Sequence, residues 1–156
     1  MLNENRKSTT LFAKIWKAWL TLFVFGLLIA IWQSPAKAAP SDDKQASQAV
    51  IEAQLDAFRK DDAKQAFEYA APSIQRAFGN PDNFVNMVKR NYDVVYRPAS
   101  VRFIRFDGDG AYAAHAVQMI DQNKVLWNVY YELQRRPQGD WRISGCEIEK
   151  AETDLI

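Results

Sequence analysis

The stretch "DVVYRPASVRFIRFDGDGAYAAHAVQMI", residues 93 to 120, is where the chain changes its grammar. Before it, apolar residues recur three and four apart, as on one face of a helix. Within it, β-branched and aromatic residues crowd together and alternate with polar ones, as in strands. Pro98 has no N–H to give to a ladder, which limits the first part of the stretch to a sheet edge or a bend. "DGDG", residues 107 to 110, is a glycine turn leading into the strand "AYAAHAVQMI". Further on, "DQNK" turns into "VLWNVYYELQRR", and "PQGD" turns into a terminal strand. The second half therefore reads as a meander of three to four antiparallel strands.

The first half reads as helices. Val50, Ile51, Leu55 and Phe58 line one face from Ser47 onward. Asp62, with Gln65 three residues later, has the form of a helix cap, and Pro72 stops the helix that follows. Ser73 is placed to cap a short turn through Ile74 and Phe78, closed by Gly79. Asn80 caps a further helix with Pro81 in its first turn and Phe84, Met87 and Val88 facing inward. Helices first and strands second predicts an α+β domain over residues 47–149, with the helices packed on one face of a curved sheet.

The N-terminus has a different character. Positive residues precede "AWLTLFVFGLLIAIW", an uncharged run from Ala18 to Trp32, and Ala36-Lys37-Ala38 follows as a small-x-small site. This predicts a signal peptide over residues 1–38, cleaved between Ala38 and Ala39, then a flexible lead over 39–46 and a tail over 150–156. The alternative is an uncleaved anchor, with residues 18–32 in the inner membrane. Either way the domain is expected outside the cytoplasm, periplasmic or secreted. With one acidic and five basic residues in the first 38, the remainder holds 18 acidic and 15 basic groups, from totals of 19 and 20. A body of about −3 does not fit a nucleic-acid partner, which needs a clustered positive field.

Chemistry-bearing residues are few. One histidine and one cysteine cannot furnish a zinc site, and the aspartates of "DGDG" belong to turn formation, so no metal or cofactor is expected. In "WRISGCEIE", Gly145 interrupts the alternation. If it is the extra residue of a β-bulge, Cys146 and Ile148 rejoin the inner face of Trp141 and Ile143, which predicts a buried, inert thiol. His115 shares parity with Ala113, Val117 and Met119. Together with Trp127 and Tyr131 it is a candidate pocket group. Arg97, Arg102 and Arg105, near Lys89 and Arg90, form a candidate anion site; the alternative is helix-end cations and guards of the sheet edge. In "VLWNVYYELQ" the face opposite Val129 and Tyr131 is mixed and aromatic. That predicts a partner on the outer face of the sheet.

The runs "QLDAFRKDDAKQAFEYAAPSIQRAFGNPDNFVNMVKRNYDVVYRPASVRF" and "GDWRISGC" resemble the bacterial family of domain of unknown function 4864, over about residues 47 to 149. That resemblance implies a short exported protein and names no activity. Element order and size are also similar to the nuclear transport factor 2-like, or SnoaL-like, cone fold, which implies a curved sheet around a pocket and a homodimer through the outer face of the sheet. Two functions follow as expectations. One is a non-catalytic module binding a small ligand or a protein, with a membrane-anchored assembly factor as its variant. The other is a cofactor-free isomerase or dehydratase using the same pocket. No catalytic residue can be nominated.

Overall fold

The structure, a computed structural model, describes residues 40–151. The expected signal segment, its cleavage site at Ala38 and Ala39, and the end of the tail lie outside the described residues. Five helices come first: α1 (Pro40–Arg59), α2 (Ala63–Glu68), α3 (Pro72–Phe78), α4 (Pro81–Asn91) and α5 (Asp93–Tyr96). Four strands follow: β1 (Ser100–Gly108), β2 (Tyr112–Ile120), β3 (Leu126–Arg135) and β4 (Trp141–Lys150). They form one antiparallel sheet in the order β1-β2-β3-β4, the meander expected.

The helices pack on one face of this curved, open sheet. Ile51, Leu55 and Phe58 of α1 and Phe84, Val85 and Val88 of α4 are buried against the inward residues of the strands. Those are Ala113, His115, Val117 and Met119 of β2, Val129, Tyr131 and Leu133 of β3, and Trp141 and Ile143 of β4. Their period of two is what the pleat dictates. Phe58, Phe67, Phe78, Phe84 and Tyr96 stack as tilted or edge-on pairs with centroids 5.5–6.1 Å apart, joining the helices to one another.

Two bulges set the strand faces. In β4 the register slips between Glu132 and Leu133, so that Gly145 opposes Glu132 and Ile143 opposes Leu133, leaving Ser144 extra. Cys146 thereby faces inward opposite Tyr131, as the broken alternation predicted. In β1 the slip falls between Phe103 and Arg105, and Ile104 is the extra residue, left 52% exposed. No signal in the sequence announced that one.

Three local expectations are corrected. The lead over 39–46 is helical from Pro40, because Asp43, only 5% exposed, is held in an ion pair by Arg135 of β3. A polar run is thus pinned by a partner 92 residues away. Ser73 is not a cap: α3 begins after Ala71, with Pro72 in its first turn. Residues 93–96 form a helical turn rather than the start of a strand, with Val94, Val95 and Tyr96 all buried under α1 and β2. By contrast, the Asp62 and Asn80 caps form as read, each carboxyl or amide oxygen accepting an N–H three residues on at 2.9 Å.

Candidate functional site

Between the helices and the β3–β4 half of the sheet lies a cavity of about 300 Å³. That is near the lower end of the roughly 300–1,000 Å³ of small-molecule sites. Ile74 and Phe78 of α3, Phe84, Met87 and Val88 of α4, and Tyr92 form its helical side. Tyr131, Ile143, Gly145 and Cys146 form its sheet side. The lining is apolar, with four side chains that carry a polar group, Tyr92 among them. Gln54 spends its amide on the Ala66 carbonyl at 3.0 Å. Tyr131, 1% exposed, has a buried hydroxyl with no hydrogen-bond partner. The Cys146 thiol is its polar neighbour. Each of the two bears on the other's ionisation, but no bond of ordinary geometry joins them.

Both groups are held neutral. Burial pushes the Cys146 thiol up to about 12, against a smaller opposing effect of the Tyr131 hydroxyl. Burial likewise raises the Tyr131 phenol well above its usual range. A thiol in that state is a poor nucleophile, and a phenol in that state is a poor base. What they retain is the capacity to donate hydrogen bonds in a dry site. No carboxylate or imidazole lines the cavity.

Of the three pocket candidates, the fold brings only Tyr131 to the cavity. Trp127 sits further along β3, its indole N–H donating to Asp121 Oδ2 at 3.0 Å. Asp121 Oδ1 also accepts from the N–H groups of Asn123 and Val125, at 2.8 and 2.9 Å, which builds the β2–β3 turn. His115 is buried on the β1–β2 side. Its ring lies between Phe103 and Phe106, with centroids 5.6 and 5.0 Å away, and its Nε2 is 2.7 Å from Ser47 Oγ.

That Ser–His contact is not a nucleophile and base. The Ser47 hydroxyl donates to the Asp43 carbonyl at 2.7 Å, so Nε2–H of His115 is the donor between them. The lone pair needed to accept a proton lies on Nδ1, which is buried and unpartnered. Burial, with Lys44 nearby, lowers the imidazole to about 4.

The three arginines do not converge either. Arg97 donates to the Phe58 carbonyl and, at 2.8 Å, to Asp61, and stacks on Tyr96 with its guanidinium carbon 4.3 Å from the ring centroid. Lys89 lies 3.6 Å from the same carboxylate, and the Tyr96 hydroxyl donates to it. The anion that this cluster holds is the chain's own Asp61, whose φ of 57° places it where glycine usually ends a helix. Arg102 pairs with Gln118 on the outer face, and Arg105 is exposed there opposite Ala116.

Sequence reasoning missed Tyr92, Met87, Ile74 and Phe78 as cavity residues. Their apolar character was legible. That they stop short of the sheet, and so leave a space, depends on how the short helices are set. Among the described residues, no group of three or more metal-capable side chains comes together.

Comparison with known proteins agrees with the geometry. A nuclear transport factor 2-like protein of unknown function from Silicibacter pomeroyi DSS-3 superposes with a TM-score of 0.52, at 18% identity, over 73% of this chain and all of its own. A second such protein of unknown function, from Shewanella baltica OS155, superposes at 0.50 with 11% identity, over 74% of this chain and 99% of its own. These likenesses identify the fold as the α+β cone. No curated protein matches the sequence. Residues 40–155 match the domain of unknown function DUF4864, and the chain belongs to that family.

Proposed function

We propose that this protein is an exported, non-catalytic module that binds a small, largely apolar molecule in its cone. The observation that carries the reading is the cavity floor: an apolar enclosure ending on a buried phenol with no neighbour but the weakly accepting Cys146 thiol, and no hydrogen bond of ordinary geometry. Leaving such a donor unpaired costs about 1–3 kcal/mol, which a ligand bearing one acceptor, such as a carbonyl, recovers. Neutral donors, with no carboxylate or imidazole on the cavity lining, favour binding over the proton transfer of an isomerase or dehydratase.

Titrating the full chain with n-alkyl methyl ketones tests this. Saturable binding is expected, weakened about fivefold in Tyr131→Phe and abolished when Met87→Trp fills the space. Absence of saturable binding, or indifference to both substitutions, overturns the proposal.

Export rests on the charged, then apolar, then small-x-small order of residues 1–38. Fractionation of the native host should find the domain outside the cytoplasm, as a product shortened by those residues. A full-length membrane product would make it an anchored module instead, and a cytoplasmic product would end the export reading. The outer sheet face supports self-association, since Ile104 and Tyr112 on its β1–β2 half are large, apolar and 52% and 64% exposed.

A further inference from the structure

A second hollow of about 300 Å³ adjoins the cavity at the β4 bulge. Tyr92, Gly145 and Cys146 line both, so the two spaces meet at the bulge. Gly145 contributes no side chain there. A Cβ there would lie 3.0 Å from Glu132 Oε2, which puts that carboxylate directly over the glycine. Tyr130, Glu132 and Glu147 complete the outer hollow. The Tyr130 hydroxyl donates to Glu149 at 2.6 Å, which fixes its ring. Glu132 and Glu147 make no ion pair among the described residues, unlike Asp43, Asp56, Asp61 and Asp140, which all do. The charge of Glu147 reaches Tyr92 and Cys146, where it adds to the effect of burial on both.

We propose that the cone's ligand is an amphiphilic cation: an apolar body in the cavity, and an ammonium or guanidinium group held at its mouth by Glu132 and Glu147 against the rings of Tyr92 and Tyr130. Two unpaired carboxylates beside aromatic faces attract a cation by charge and by the ring quadrupoles together. The same mouth repels an anion and offers a neutral group little. The apolar body meets the Tyr131 hydroxyl at the inner end, so one molecule uses both spaces.

This assignment rests on the cone being a binding site, and its test separates the two. Three probes are compared by calorimetry on the full chain at low salt: an n-alkyl methyl ketone, and the same ketone ending in an ammonium or in a carboxylate. The ammonium ketone is expected to bind about tenfold more tightly than the neutral one, and the carboxylate more weakly than either. In the double variant Glu132→Gln, Glu147→Gln the three should fall within about twofold. Both positions are exposed, and the neutral ketone reports whether the variant's cavity is intact. Equal binding of the three probes to the native chain overturns the cation assignment and leaves the cavity standing. So does an ammonium preference that survives in the variant. If no ketone binds, the cavity reading fails and this one falls with it.

Discussion

His115 shows how a residue that looks functional is made structural. Its imidazole is 1% exposed, donates to Ser47 and is lowered to about 4 by burial and by Lys44. The unfolded chain holds that proton with a value near 6.5, so it binds more protons than the folded one between those limits. The neutral histidine's contribution is therefore complete above about pH 6.5, declines on acidification, and is gone by about pH 4. Urea unfolding at pH 7, 5.5 and 4.5 should show a fall of roughly 2 kcal/mol, discounted from the full shift for relaxation around the charge. His115→Gln should flatten that slope. Asp56, Asp61, Asp121 and Asp140, all lowered, begin to add their own losses below about pH 5, so the difference between wild type and His115→Gln isolates the histidine's part. Parallel slopes in wild type and variant would contradict the assignment. Parity placed His115 inward correctly, but parity says nothing of position across the sheet. Tyr131 is its cross-strand partner, yet only Tyr131 reaches the cavity under β3 and β4, and Trp127 is kept from it by its place along β3.

At the scale of elements, legibility followed the range of the forces involved. Caps act over three residues, and both Asp62 and Asn80 were readable. The β4 bulge was readable because one glycine broke an otherwise regular alternation, although the extra residue is Ser144 and not Gly145 as expected. The Ile104 bulge was not, because "RFIRF" continues to alternate acceptably in either register. The early start of α1 was hidden for another reason. "SDDKQ" carries no apolar period, and its helix is secured by Asp43 reaching Arg135. A buried pair of that kind is costly to break from one side, since the other charge is left unpaired. The arginine cluster and the Asp61–Asp62 pair were each visible as separate charge runs. Only the packing of Tyr96 between α1 and α4 makes them partners, with Arg97 and Lys89 both over its ring. An apparent anion site thus became a clasp between helix ends.

For the whole molecule, the sheet divides its outer face into two halves with different chemistry. The β3–β4 half carries Glu132, Glu147 and Glu149, while the β1–β2 half carries Arg102, Arg105, Ile104 and Tyr112. Of the large exposed apolar residues described, Ile104 and Tyr112 lie on the β1–β2 half and Tyr130 on the other, and the first two favour a second copy of the chain as their cover. Sedimentation at micromolar concentration should give a dimer, and Ile104→Glu with Tyr112→Glu should give a folded monomer, because neither side chain is part of the core. A dimer built on this half leaves the apolar cavity and Glu147 uncovered, while Tyr112 and Glu132 line one hollow. Ketone affinity should then be the same in the monomeric variant as in the native chain, within about twofold. A native monomer would remove the dimer reading. A dimer whose dissociation changes ketone affinity would place the contact across β3 and β4 instead, over the mouth itself.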